Sequence, residues 1–162
     1  MPQNAPHDKP AGVTVICPIR WGDLDALGHV NNIIFFQFCE SARIAYFEAL
    51  ELDRHKRKPT DGPGMVAANL NFRRQLKYPG TVEVLANTTQ VGERSFTLAY
   101  QLFDLADRAV VADGASVCLW VDYAAGKALR LPDDLVSAIA RIERRPELAV
   151  RTAPTAGEPR GS

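Results

Sequence analysis

The chain has 162 residues, 46% of them hydrophobic, and its 19 basic residues balance 19 acidic ones to a net charge of zero. This length suffices for one domain with a real core, but it is too short for a cofactor domain plus a substrate domain. The charge balance argues against general attraction to phosphate backbones, so we expect no nucleic-acid partner.

The three cysteines, Cys17, Cys39 and Cys118, are far apart and lie in apolar surroundings without metal-ligand spacing. We therefore predict buried thiols, no metal site and a cytoplasmic location. The polar N-terminus resembles neither a signal peptide nor an anchor, and residues 33–50 contain too many polar side chains to span a membrane. One domain is predicted at residues 12–148, between flexible segments at residues 1–11 and 149–162.

A strand, a helix and a loop are predicted in the first part of the chain. Apolar residues alternate over residues 13–21, which predicts a strand, and Pro18 indicates that this strand has an open edge. Residues 33–50 form a predicted helix whose apolar side chains cover nearly its whole circumference, which indicates burial on all sides. Residues 51–64 are charged and rich in proline and glycine, and they are predicted to form a mobile loop.

The remaining pattern is mostly that of strands. Residues 65–76, 81–91, 95–105 and 109–121 are predicted strands, and the short links between the last three favour antiparallel hairpins. Residues 132–145 predict a short surface helix. The expected fold is α+β, with a five-stranded antiparallel sheet curled around one long helix. The free edge and outer face of such a sheet favour pairing with a second copy, so we expect a homo-oligomer.

The segment from Trp21 to Asn32 places two carboxylates and a glycine turn directly before the long helix. The first turn of a helix has backbone N–H groups without intrahelical partners and a partial positive charge. Such a site can hold an oxygen atom while negative charge builds on it. Asp25 would then lie beside an anion-stabilising site, and Gly28 would shape the turn that directs it.

Each residue of this segment also has a purely structural interpretation. Asp25 can cap backbone N–H groups around the Gly28 turn, as aspartate commonly does. Asn31 and Asn32 are natural residues for a helix N-cap. An unperturbed histidine titrates near neutral pH, which makes His29 a candidate acid or base, although a histidine before a helix commonly serves as a hydrogen-bonding strut.

The motif RWGDLDALGHVNN at residues 20–32 resembles that of the hot-dog-fold acyl-CoA thioesterases, in the branch of 4-hydroxybenzoyl-CoA thioesterase. The resemblance extends through ESAR at residues 40–43, YPGTVEV at 78–84 and GERSF at 92–96, and it covers residues 13–123. It implies a helix wrapped by an antiparallel sheet. It also implies a homodimer or homotetramer, with active sites between subunits.

By position, the resemblance assigns the catalytic carboxylate to Asp25 and the oxyanion-binding N–H to the helix entrance near Asn32, with Gly28 and His29 in the same motif. Coenzyme A is the implied carrier of the acyl group, and no other cofactor is expected. A thiolate departs without a strong general acid, so one carboxylate and an oxyanion site can suffice. Asp25 could attack the carbonyl carbon directly or deprotonate a water molecule, and both routes stay open.

The phosphates of coenzyme A need local positive charge on a protein whose net charge is zero. The candidates are Arg73, Arg74, Lys77 and Arg94. Their alternative role is that of an ordinary solvated sheet edge. Glu40 and Arg43, three residues apart on the helix, are predicted to form an ion pair. Glu40 is also an alternative catalytic carboxylate, because other members of the superfamily use one from this helix.

Two other functions are compatible with the sequence. The fold that the resemblance implies also occurs in hydratases and dehydratases of acyl thioesters, in which a carboxylate works with a histidine, as Asp25 and His29 could. The chain could alternatively be an acyl-CoA binding module without catalysis. The aromatic residues of the helix, Phe35, Phe36, Phe38 and Tyr46, either line an acyl pocket or fill the core.

Overall fold

The computed structural model describes residues 11–149, which form one antiparallel sheet and two α-helices. The strands are β1 (Val13–Pro18), β2 (Asp61–Phe72), β3 (Thr81–Val91), β4 (Ser95–Asp104), β5 (Val110–Asp122) and β6 (Lys127–Ala128), and the helices are α1 (Asn32–Ala49) and α2 (Asp133–Glu143). The sheet order is β1-β3-β4-β5-β2, and β6 pairs with β5. The predicted α+β class is confirmed, whereas the two-residue β6 was not predicted. Of the flexible segments predicted at residues 1–11 and 149–162, residues 1–10 and 150–162 lie outside the described residues.

The core lies between the sheet and one face of α1. Side chains alternate between buried and half-buried along most of β3, β4 and β5, as expected for a sheet with one covered face. From α1, Phe35, Phe38 and Tyr46 are buried against this face. The three cysteines are buried and unpaired, as the sequence predicted. Among the described residues, no helix is long and apolar enough to cross a membrane.

The prediction that α1 is buried on all sides is wrong for a single chain. Ile33, Phe36 and Ile44 are exposed by 65%, 41% and 48%. These side chains lie on the part of the helix that the sheet leaves uncovered. The continuous apolar surface of α1 therefore remains partly exposed.

The predicted mobile loop at residues 51–64 is partly regular structure. It contains a 3-10 turn, Leu52–His55, and the first residues of β2, which begins at Asp61 and not at residue 65. The glycines and Pro63 look like loop residues in the sequence. Proline has no backbone N–H, but an edge strand tolerates it because one side of that strand has no neighbour to bond. His55 Nδ1 and Asp134 Oδ2, 2.8 Å apart, also link this segment to α2.

Smaller differences, of one to four residues, concern the ends of elements. Strand β1 ends at Pro18 because the chain enters a 3-10 turn, Trp21–Asp23. Strand β2 ends at Phe72, four residues before the predicted end, and a bulge between Met65 and Ala67 interrupts its alternation. Helix α2 is shorter than predicted by one residue at the start and two at the end.

Candidate active site

The predicted catalytic segment forms a tight turn that Leu24 and Val30 close through an isolated β-bridge. Within it, the N–H of Asp25 donates to the carbonyl of His29 at 2.7 Å, and the N–H of Gly28 donates to the carbonyl of Asp25 at 3.0 Å. Gly28 has a φ of 74°, a conformation that other residues adopt at a cost. The turn therefore depends on the glycine, as the sequence suggested.

The Asp25 carboxylate is fixed by one of its two oxygens. Its Oδ1 accepts hydrogen bonds from the backbone N–H groups of Leu27 at 2.8 Å and His29 at 3.1 Å. The capping role that was the structural alternative for Asp25 is thus observed. Within residues 11–149, Oδ2 has no hydrogen-bond partner. One oxygen orients the half-buried side chain, and the second remains available to a substrate.

The start of α1 lies directly after this turn. Asn31 is the N-cap, and its side-chain oxygen accepts a hydrogen bond from the N–H of Ile33 at 3.0 Å. The N–H of Asn31 itself donates to the carbonyl of Asp23 at 2.9 Å, which ties the helix to the turn. In the described part of the chain, the N–H of Asn32 donates to no acceptor. It is an orphan donor of the kind that holds anions at helix starts.

His29 contributes its backbone to the turn. Its N–H and carbonyl both bond to Asp25. Over residues 11–149, its imidazole ring makes no hydrogen bond. The structure therefore holds Asp25 and His29 in one turn, but their side chains do not form the carboxylate–imidazole pair that proton transfer in a hydratase would use.

Three of the four basic candidates lie at the same end of the molecule as the turn. The N–H of Val30 donates to the carbonyl of Leu76 at 2.9 Å, and the Phe72 ring packs edge-on against Phe35, with centroids 5.3 Å apart. The intervening segment carries Arg73 and Arg74, and Lys77 follows it directly. A bound coenzyme A near the turn could therefore meet positive charge from this segment.

The two arginines are already paired with carboxylates. Arg73 contacts both oxygens of Asp113, at 2.7 and 3.0 Å. Arg74 bonds to Asp104 and Asp107, and hydrogen bonding to Arg74 lowers the pKa of Asp107 to about 2. These contacts agree with the alternative interpretation, in which the basic residues belong to an ordinary solvated sheet edge. Lys77 is exposed and has no ion-pair partner among residues 11–149, so its charge is the most accessible of the three.

Arg94 lies elsewhere in the chain. It belongs to the β3–β4 hairpin, and its carbonyl accepts from the N–H of Trp120 at 2.8 Å. Thr81, at the other end of β3, follows closely after the segment of residues 73–77, which contacts the turn that contains Asp25. The 11 residues of β3 correspond to ~35 Å of extended chain. Within one chain, Arg94 is therefore not brought together with Asp25.

A cavity of about 180 Å³ lies between α1 and strands β2, β4 and β5. Ile33 and Phe36, from the first turns of α1, belong to its wall, so one end of the cavity lies near the start of this helix. Of the four aromatic residues named from the sequence, only Phe36 lines it, while Phe35, Phe38 and Tyr46 fill the core. Its remaining wall includes Arg43, Tyr100 and Ser116, of which the sequence identified only Arg43, as the partner of Glu40.

The predicted pair on the helix is present: Arg43 and Glu40 approach to 3.7 Å. No sequence signal identified Tyr100 and Ser116 as site residues, because both lie in strands that alternate like the rest of the sheet. Their position depends on how β4 and β5 pair beneath the helix.

Comparison with known proteins identifies the family. Residues 19–139 match the model of the thioesterase-like superfamily. The uncharacterized protein YsmA of Bacillus subtilis (strain 168) is 27% identical over 116 residues, which are 72% of this chain and 77% of YsmA.

Two solved structures are similar over most of their length. The PA2801 protein from Pseudomonas aeruginosa, provisionally assigned as a thioesterase, has 34% identity and a TM-score of 0.71, covering 78% of this chain and 97% of its own. A thioesterase from Thermus thermophilus, complexed with coenzyme A and Zn, has 26% identity and a TM-score of 0.73, covering 85% and 98%. The hot-dog fold and the thioesterase class predicted from the sequence are confirmed. The chain belongs to the thioesterase-like superfamily.

Proposed function

We propose that the chain hydrolyses acyl-CoA thioesters to the free acid and coenzyme A, with Asp25 as nucleophile or general base. The observation that carries this proposal is the fixed Asp25 carboxylate, which has one oxygen held by two backbone N–H groups and the other, among the described residues, without a partner. The thioesterase complexed with coenzyme A supports the same carrier here.

Two routes are compatible with this geometry. In the first, Oδ2 of Asp25 attacks the thioester carbon, the C–S bond breaks, and the thiolate of coenzyme A leaves; water then hydrolyses the mixed anhydride. In the second, Asp25 takes a proton from a water molecule as the water attacks the same carbon, and the C–S bond then breaks. In both, the N–H of Asn32 stabilises the charge on the carbonyl oxygen, an effect of about 10²- to 10³-fold per donor in other enzymes.

The other parts of the site follow from the same proposal. Lys77, Arg73 and Arg74 hold the coenzyme A phosphates, the arginines by exchanging carboxylate partners for phosphate. Arg94 serves this role only if a second subunit brings its hairpin to the site. The three buried, unpaired thiols fit a reducing compartment, so we also propose a cytoplasmic location.

The test of the mechanism is free-thiol release from short, medium, long and aromatic acyl-CoAs. We expect Asp25→Asn to lower kcat by ~10²- to 10⁴-fold. The amide oxygen of asparagine can still accept hydrogen bonds from the backbone N–H groups of Leu27 and His29. The turn should therefore survive, and the binding of acyl-CoA should change little.

Asp23→Asn is the matched control, because Asp23 accepts the N–H of Arg20 at 2.7 Å and serves the loop. Its loss of activity should be much smaller. Undiminished activity in Asp25→Asn would remove Asp25 from the mechanism and point to Glu40 or His29. Tight acyl-CoA binding without release of thiol from any substrate would favour a binding module.

We further propose that the chain forms a homodimer or homotetramer through the edge of β2 and the uncovered face of α1. Met65, Val66 and Phe72 on β2 are exposed by 52%, 60% and 45%. Together with Ile33 and Phe36 on α1, they form apolar surface of the kind that interfaces bury. Sedimentation equilibrium of the purified chain should give the mass of two or four subunits, and a monomer at micromolar concentration would contradict the proposal.

A further inference from the structure

The cavity beside α1 contains an unusually placed cation. The side chain of Arg43 is 13% exposed, whereas seven other arginines that form ion pairs are between 39% and 74% exposed. Arg43 also belongs to the cavity wall. A guanidinium group withdrawn from water needs compensation from acceptors or from an opposite charge.

The carboxylate partner of Arg43 supplies little of this compensation. The nearest carboxylate oxygen, Oε1 of Glu40, is 3.7 Å away, which is beyond hydrogen-bond distance, and the Glu40 side chain is 63% exposed. By contrast, exposed Arg73 makes two hydrogen bonds to Asp113, at 2.7 and 3.0 Å. The charge of the most buried of these arginines is therefore balanced by a loose contact to a solvated side chain.

Two hydroxyl groups share the same wall. The hydroxyls of Tyr100 and Ser116 lie 2.7 Å apart and are buried. One hydroxyl hydrogen is used between them, and hydrogen bonding from Ser116 also reaches the Cys118 thiol. Burial raises the pKa of Tyr100, while hydrogen bonding to Ser116 and to Arg43 and the positive charge of Arg43 act in the opposite direction. The guanidinium and both hydroxyls thus belong to one cluster of donors.

The rest of the cavity is mainly apolar. Ile33, Phe36, Met65 and Leu70 line it, with Gln37 and Asn69 as neutral polar neighbours. Ile33 and Arg43 are ten residues apart on α1, which corresponds to ~15 Å along the axis. Helical side chains are directed toward the N-terminus, so the guanidinium lies closer to the helix start than this distance. This lining suits an apolar chain that enters near the start of α1 and ends at the donors.

We propose that this cavity binds an acyl group that ends in a carboxylate, so that the preferred substrate is the coenzyme A monothioester of a dicarboxylic acid. The inference rests on the proposed function. A carboxylate neutralises Arg43 and accepts two of its N–H groups in parallel, which a hydroxyl group cannot do. The Tyr100 hydroxyl, which lies beside Arg43, can turn to donate to the same carboxylate, while exposed Glu40 turns into solvent.

The test compares matched acyl-CoAs of equal length, with and without a terminal carboxylate, over a series from short to long chains. Charged hydrogen bonds contribute about 1.5–3 kcal/mol, so kcat/KM should favour the best carboxylate substrate by ~10- to 100-fold over its methyl-ended partner. Arg43→Met, which keeps most of the apolar stem, should abolish this ratio by lowering kcat/KM for the carboxylate-ended substrate. Arg54→Met is the control, because Arg54 is exposed and pairs with Glu51.

The proposal is overturned if wild type and Arg43→Met give the same ratio at every length, or if hydroxyl-ended acyl-CoAs are preferred to carboxylate-ended ones. Should Arg43→Met not fold, Tyr100→Phe removes one hydroxyl and should lower the ratio by a smaller factor. If no thioester is hydrolysed, the proposed function fails separately. In that case, calorimetry measures how tightly the Asp25→Asn variant binds each member of the same acyl-CoA pairs. Tighter binding of the carboxylate-ended member supports the cavity proposal, and equal binding overturns it.

Discussion

Helix α1 contributes to two buried polar clusters, and they differ in how completely their hydrogen bonds are satisfied. In the closed cluster (Tyr46, Thr88 and Glu143), Oε1 of Glu143 accepts from the Tyr46 hydroxyl at 2.5 Å and the Thr88 N–H at 2.6 Å. The hydroxyls of Tyr46 and Thr88 lie 2.8 Å apart.

The open cluster (Arg43, Tyr100 and Ser116) borders a cavity and has one loosely balanced charge. Buried polar groups that satisfy one another fix the packing of elements, whereas buried donors beside an open cavity are suited to a ligand. The closed cluster joins α1, β3 and α2. We therefore assign stability to the closed cluster and substrate selection to the open one.

The largest expected effect comes from breaking the closed cluster with Glu143→Ala. The substitution leaves the Thr88 N–H without an acceptor and removes one of the two partners of the Tyr46 hydroxyl. Because an unsatisfied buried donor costs about 1–3 kcal/mol and a cavity adds to this, we expect a loss of ~3 kcal/mol in the free energy of unfolding. Urea denaturation measures it, and the ratio between carboxylate-ended and methyl-ended substrates should not change.

Glu143→Gln is the control, because it keeps the accepting Oε1, and it should cost much less. The two proteins should also differ in pH dependence. Burial raises the pKa of Glu143 above its ordinary value, against the lowering effects of Tyr46 and Thr88. As the pH rises from ~4.3 through this raised pKa, the native state holds a proton that the unfolded state has lost, so wild type loses stability relative to Glu143→Gln. Equal pH profiles would contradict the raised pKa.

The turn that contains Asp25 could be predicted from the sequence because it is local. Asp25, Gly28 and Asn31 bond within a few residues of one another, so their spacing already contains the turn and the helix start. The strand pattern was equally informative wherever one face of the sheet is buried, as in β3 and β4.

The open cluster could not be predicted in this way. Arg43 and Tyr100 are far apart in the sequence, and the two meet only because β4 and β5 pair beneath α1. The start of β2 was missed for a related reason: Gly62, Pro63 and Gly64 have the composition of a loop, and pairing with β5 overrides it. The apolar circumference of α1 indicated that the helix is buried on all sides. In a single chain, however, part of this apolar surface is exposed.

A smaller effect is expected from two matched substitutions, Tyr46→Phe in the closed cluster and Tyr100→Phe in the open cluster. Both tyrosines are buried, at 0% and 3% exposure, and each loses only its hydroxyl. Tyr46→Phe should lower the free energy of unfolding by ~1–2 kcal/mol, because Glu143 and Thr88 lose a partner in a closed site. Tyr100→Phe should cost less than ~1 kcal/mol, because Ser116 lies at the cavity wall, where water can replace the lost partner.

Substrate preference should change in the opposite order, more in Tyr100→Phe than in Tyr46→Phe. Tyr100→Phe should reduce the preference for carboxylate-ended acyl-CoAs, because the hydroxyl beside Arg43 in the cavity wall is lost, while Tyr46→Phe should leave that preference unchanged. Urea denaturation and kcat/KM ratios on one preparation of each variant measure both quantities. If the two substitutions alter stability and substrate preference alike, the clusters do not divide these tasks, and the loose contact of Arg43 with Glu40 has a structural origin.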